Sequence, residues 1–302
     1  MTIKYLPYTL SIAALAATLN ISAPAPAKAE LAVSPQTVAA RIEQSGNLRM
    51  LSEGMAKYFC YARAGQDPVN AVAGLQTDMA MFDQIHLGLV DGDDSLGLFA
   101  ETSPEVRKAW DNVDLMWSSA RVYYDKALSG QIVDERDFDR INGLTLELDK
   151  RVNDMVTQVR AVYAKELGEG GIGEALLIDL YDRQLMLAEK IAKEVCLVRV
   201  GYKGEEEVRE LNESIALFEN SLNAFQEGFP IAGIPAPPTE GIKAQLAKAH
   251  DEWQKIRLTA VNIASGTAVT LTDYSDFAEG IPVFEKEMIE ALHMLEKHEL
   301  TN

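Results

Sequence analysis

Cys60 and Cys196 are the two cysteines of the chain, and they stand 136 residues apart. Each lies at the same place in a repeated helical stretch. Each also points away from the apolar stripe of its own helix, toward a surface that meets something. An oxidising compartment would join two such thiols as a disulfide. Two other readings stand beside the bridge. One is a pair of buried free thiols, since cysteine is among the most buried residue types. The other is a soft metal site shared with Met50 and Met186.

No other residues assemble into a recognisable catalytic pattern. His86, His250, His293 and His298 share no repeat position and no metal-ligand spacing. The chain lacks H-E-x-x-H, a P-loop, a haem-attachment motif and G-x-S-x-G. Asp91-Gly92-Asp93-Asp94 resembles the start of a calcium loop, but Leu96 and Thr102 occupy positions where an EF-hand needs glycine and glutamate. The expectation is a non-enzymatic protein without a cofactor.

The elements that place the cysteines form an internal duplication. A shift of 136 positions lays Met50, Leu51, Glu53, Ala56, Lys57, Cys60, Arg63 and Gly65 on Met186, Leu187, Glu189, Ala192, Lys193, Cys196, Arg199 and Gly201. The same shift pairs Phe82 with Phe218, Gly92 with Gly228 and Trp117 with Trp253. Such self-similarity means two copies of one structural unit. Within Arg41–Gly65, Leu48, Leu51, Met55, Phe59 and Ala62 make an apolar stripe. Ile42, Gly46, Arg49, Glu53, Ala56 and Cys60 make a second, mixed stripe opposite.

Residues 1–29 read as a cleaved secretory signal peptide, with Lys4 ahead of an apolar core and Ala27-Lys28-Ala29 before Glu30. The expected location is therefore the periplasm. Removing Lys4 and Lys28 takes the formal charge from −18 to −20 (−18 − 2), which argues against nucleic acid and anionic membranes as partners. No stretch after residue 30 is long and apolar enough to span a bilayer.

Helices are expected over 35–64, 67–91, 103–129 and 134–166, and again over 171–200, 204–227, 239–265 and 272–300. Glycines just past several ends favour left-handed caps, and Ser103-Pro104-Glu105 reads as a helix start. Pro282 should kink or restart the last helix near Gly280-Ile281. The fold class is all-α: two tandem antiparallel four-helix bundles. The division runs 30–166, a linker at 167–171, and 172–302. Trp117, Trp253, Phe82 and Phe218 are expected to fill the two cores.

Ser45-Gly46-Asn47-Leu48-Arg49-Met50-Leu51-Ser52-Glu53 resembles the signature of the N-terminal domain of type IV pili methyl-accepting chemotaxis transducers (the PilJ type). It is also similar to the P box of nitrate/nitrite sensor kinases (the NarX type). The landmarks Phe82, Gly92 and Trp117, repeated as Phe218, Gly228 and Trp253, agree with it. The resemblance implies a four-helix sensor domain whose arginine binds nitrate or nitrite across a dimer interface. A planar guanidinium suits a planar oxyanion. Gly46, Arg49, Ser52 and Glu53 are then the ligand-binding candidates, with a small anion as ligand, and a homodimer is implied. The residue-level alternative is an ion pair from Arg49 to Glu53 on a solvated helix face. On either reading Arg49→Ala should change stability by no more than about 0.5 kcal/mol.

The chain departs from that pattern. Glu53 replaces the family's glutamine, and the second copy has Asp182 and Leu185 in place of Gly46 and Arg49. The functional expectation is an exported ligand-binding sensor-type protein that reports to a membrane receptor or another periplasmic protein. The alternative is a degenerate sensor fold serving as a helical protein-interaction module. If both cysteine stripes face one another, Arg41–Gly65 and Leu177–Gly201 must pack together, with Cys60 and Cys196 within about 7 Å.

Overall fold

The computed structural model describes residues 31–299 except 132, 169–170 and 233, so the expected signal peptide at 1–29 lies outside the described residues. Eight helices follow in order: α1 Pro35–Ala64, α2 Pro68–Asp91, α3 Pro104–Leu128, α4 Glu135–Tyr163, α5 Gly171–Arg199, α6 Glu205–Glu227, α7 Glu240–Ala264 and α8 Leu271–Glu299. Among the described residues there is no β-strand, and the chain is all-α.

Local chemistry sets the helix ends. Ser34 and Thr37 form a capping box before α1, with Pro35 in its first turn. Ser103 caps α3 through the Val106 amide, and Asp134 caps α4 through that of Asp137. Gly65 closes α1 in the left-handed conformation. Helix α8 does not restart near Gly280-Ile281 but runs on through Pro282. The proline leaves the carbonyl of Ala278 without its helical donor, at a residue that is itself only partly buried.

Each copy closes as a four-helix ring, with α1 packed on α2 and α4 and with α3 on α2 and α4; α5 to α8 repeat the arrangement. Trp117 stacks on Phe82 at 4.5 Å and Trp253 on Phe218 at 4.4 Å, filling equivalent places in the two cores. The most extensive helix packing, however, joins the copies: α1 lies along α5, and one continuous apolar core runs through both rings. Contacts between Gly46 and Asp182, Lys57 and Glu189, and Cys60 and Cys196 advance together along both chains, so α1 and α5 are parallel.

The α2–α3 and α6–α7 connections are also copies of one another. Asp93 pairs with Leu98 and Phe229 with Ile234 in isolated antiparallel bridges. Gly92 and Gly228 begin them with φ of 82° and 79°, where a side chain costs roughly 1–2 kcal/mol. At Gly228 a methyl group would also meet the Ala236 amide nitrogen at 2.7 Å. Gly228→Ala should therefore destabilise the protein by more than the roughly 1–2 kcal/mol of the backbone strain alone. Urea unfolding of the two proteins side by side measures the difference.

Candidate functional site

The mixed stripe of α1 is spent on α5. Lys57 donates to Glu189 at 2.7 Å, and Lys193 reaches Glu53 at 2.5 Å. Glu53 and Glu189 are repeat equivalents, as are Lys57 and Lys193, so one ion pair is written twice about a pseudo-two-fold axis. Glu53, Lys57 and Glu189 are buried and Lys193 is 12% exposed, and the Cys60–Cys196 disulfide closes the same end of the seam with Cα atoms 6.3 Å apart. Burial opposes the charged form of each lysine. The facing carboxylates outweigh it and hold both ammonium groups above their ordinary range: Glu189 and Glu285 around Lys57, Glu53 and Glu194 around Lys193.

The other end of the seam has diverged between copies. Gly46 and Asp182, themselves equivalents, meet face to face, and a methyl group on Gly46 would lie 2.0 Å from the Asp182 carboxylate. The glycine makes room for the aspartate. Arg49 is 0% exposed. It donates to Asn153 of α4 at 3.0 Å and is ion-paired with Asp179 of α5. Asp179 also holds Arg160 at 2.9 Å and Arg183 at 3.1 Å. Although burial works against it, these three guanidiniums keep the Asp179 carboxyl below its usual range. Asp182 has no such support. Burial, with Glu43, Asp179 and Glu296 nearby, pushes its carboxyl well above the usual range against the pull of Arg49, and neither oxygen has a hydrogen-bond partner.

Carboxyl groups back both lysine pairs. Ser52 donates to Asp149, whose carboxyl is driven well up by burial and by Glu53. Its equivalent Glu285 is driven up by burial and by Glu189. Asp78 of α2, lying against Gly54, is pushed to about 7 by burial and by Glu189, with Lys57 opposing.

The sequence candidates are thus gathered in one place but engaged internally. Gly46, Arg49, Ser52 and Glu53 face Asp182, Asp179, Asp149 and Lys193 rather than solvent. The alternative of a solvated Arg49–Glu53 pair does not hold: Arg49 is buried and its partner is Asp179. Removing Arg49 would leave Asp179 buried with two of its three cations, so Arg49→Ala should cost well beyond about 0.5 kcal/mol. Cys60 and Cys196 are joined to each other, leaving no thiolate for a metal with Met50 and Met186.

Sequence reasoning missed Lys57, Asp179 and Arg41. Arg41, 0% exposed, bonds Glu101 at 2.8 Å and the Leu89 carbonyl at 2.9 Å, and stacks over Phe99 at 4.1 Å. It pins the α2–α3 connection onto α1. In the second copy Leu177 and Pro237 stand at the places of Arg41 and Glu101.

The family model for the type IV pili methyl-accepting chemotaxis transducer N-terminal domain, PilJ, matches residues 31–136 and again 175–276. The chain belongs to the PilJ family. One matched segment falls in each copy, so the PilJ-type sensor domain is matched twice in one polypeptide. That match lends no support to the nitrate-sensor likeness. Comparison with curated proteins finds no match. Among the described residues, no helix of this PilJ-type chain is long and apolar enough to cross a membrane.

The disulfide closes a loop spanning 136 residues, for which chain entropy alone suggests over about 4 kcal/mol, with engineered bridges often delivering less. The Cys60→Ala/Cys196→Ala protein should melt lower than the oxidised wild type by about 2–4 kcal/mol at its midpoint. Calorimetry on both proteins, the wild type with and without reductant, checks this.

Asp78 gives a pH signature. Its carboxyl holds a proton to about pH 7 when folded, against an ordinary value of 3.8. Between those limits the folded state binds a proton that the unfolded state has lost, so stability falls as pH rises through the window. Asp78→Asn should remove part of that fall and stabilise the protein at pH 8 by at least about 1 kcal/mol. Urea midpoints at pH 4.5, 6 and 8 for both proteins measure it.

Proposed function

We propose that this protein is an exported PilJ-type module that acts as a helical protein-interaction element in a signalling system. In this reading the place where a sensor of the resembling kind would take a small anion has been closed. The observation that carries it is the position of Arg49: wholly buried, ion-paired with Asp179 and hydrogen-bonded to Asn153. An incoming nitrate or nitrite would have to displace a buried carboxylate held by three guanidiniums. Leu185 is the repeat equivalent of Arg49, so the second copy supplies no matching arginine to pair with it across the axis.

The two halves, 30–166 and 172–302, supply each other with the partner that a homodimer would otherwise provide. A second chain is not needed to cover the α1 face. Export is supported by the signal-peptide pattern at 1–29 and by a disulfide that an oxidising compartment would maintain. The partner is then another protein of that compartment, such as the exported part of a membrane receptor, engaged through the outer helices. No chemical step is assigned to the chain.

Thermal melting of the mature protein with nitrate, nitrite, chloride and sulfate tests the reading. No anion should raise the midpoint beyond the common effect of salt. A rise specific to nitrate or nitrite that disappears in Arg49→Lys would restore the anion sensor in place of the interaction module.

A further inference from the structure

A second cluster of charge adjoins the seam, between α5 and α6. Glu194 of α5 and Glu207 and Glu210 of α6 bring carboxylate oxygens within 4.8 Å of one another. Glu194 is 0% exposed and Glu207 4%. Neither oxygen of Glu194 has a hydrogen-bond partner. Its neighbours of opposite charge are Lys190, whose ammonium stands 3.5 Å away, and Lys193, already engaged with Glu53. Burial raises the Glu194 carboxyl despite those lysines and the nearby Ser214. Burial and Glu194 together push Glu207 to about 7, with Lys193 and Lys203 opposing. A buried carboxylate aimed at two others, with Ser214 its only nearby side-chain donor besides the lysines and Lys190 no closer than 3.5 Å, leaves negative charge for a cation to meet.

The duplication supplies an internal control. The equivalents of Glu194, Glu207 and Glu210 in the first copy are Tyr58, Ala71 and Gly74. There the tyrosine ring packs over the glycine, close enough that a methyl group on Gly74 would sit 2.5 Å from it. The fold is therefore satisfied by an uncharged packing at these three places. Helix-end electrostatics would favour an acid at Glu207, in the first turn of α6. They give no reason for Glu194, near the C-terminal end of α5, which should prefer cations.

We propose that Glu194, Glu207 and Glu210 form a binding site for a hard divalent cation. Three carboxylates with no sulfur or imidazole among them suit calcium, magnesium or manganese, which take oxygen ligands and complete their shells with water. Three oxygens within 4.8 Å of one another can share one ion at the roughly 2.4 Å of a calcium–oxygen bond. A groove of about 330 Å³ between α4, α5 and α6, lined by Lys190, Arg209, Glu210, Glu213 and Ser214, reaches the cluster at Glu210. The ion would tie the start of α6 to the end of α5 and neutralise the mutual repulsion of the three groups.

The full mature chain, treated with EDTA and dialysed, should be titrated calorimetrically with CaCl2, MgCl2 and MnCl2 in turn. Titration to roughly 10 mM covers the millimolar range of weak extracellular sites. One ion per chain is expected for at least one of the three, with a matching rise in melting temperature. Glu207→Gln/Glu210→Gln should weaken that binding at least tenfold while circular dichroism shows the same helix content. Glu210→Gln alone alters the more exposed ligand and serves if the double variant fails to fold; it too should weaken binding measurably. Absence of binding for all three cations, or binding unchanged in the folded variants, overturns the proposal. Neither outcome bears on Arg49, so the site and the function proposed above fail independently.

Discussion

Everything in this molecule leans on the parallel contact between α1 and α5, where charged groups are taken out of water in opposed pairs. Such pairing is demanding, because desolvating a lysine and a glutamate is costly and only good geometry recovers it. Removing any one member would strand its partner. The reciprocal arrangement of Lys57 with Glu189 and Lys193 with Glu53 meets that demand twice with one local geometry. It also fixes register: a slide of one turn along the helix would oppose like charges and pull the disulfide apart. Apolar packing alone, non-directional as it is, would leave the register of two similar helices far less defined.

Duplication explains why the seam is symmetric at one end and not at the other. When two copies share a chain, equivalent positions that meet across the axis are free to diverge as complementary pairs. Gly46 and Asp182 have done so, one supplying space and the other filling it. Arg49 has kept its guanidinium while its equivalent became Leu185, and Asp179 has become the partner of Arg49. Identical subunits could not make this change, since every substitution would appear on both sides at once. The acidic cluster of the second copy and the Tyr58–Gly74 packing of the first show the same divergence away from the axis.

Much of the fold was legible in the sequence because it rests on local signals. Caps such as Ser103-Pro104 and the glycines beyond helix ends fixed the boundaries to within a few residues. The repeat register identified Trp117 with Trp253 and Cys60 with Cys196. At Pro282 the helix continues rather than restarting, because a proline's effect depends on its surroundings as well as on its residue type. The seam was only half legible. Its mixed stripe showed that the face meets something, and four of the repeated identities, Glu53, Lys57, Glu189 and Lys193, are the crossed ion pairs themselves. Read along one helix, a glutamate and a lysine four apart suggest an ordinary surface pair. Their crossing becomes visible only once the stripes are laid together. Asp179 carried no local signal, since what selects it is Arg49 on another helix 130 residues earlier.

The seam also constrains how a signal could pass through the molecule. A sensor that works by sliding or rotating its first helices against each other needs an interface with two arrangements of similar energy. Here such a movement would have to break two ion pairs and part Asp179 from Arg49, with a covalent bond holding one end. Interfaces of that kind have one deep minimum, and a ligand shifts an equilibrium only by its differential affinity for the two states. On the reading proposed above, α1 and α5 act as a rigid spine. The adjustable parts are then the helices tied to it by fewer such bonds, α2 with α3 and α6 with α7. The spine keeps the two outer pairs at a fixed spacing, so a partner that engages both would meet one preset geometry rather than select it from many.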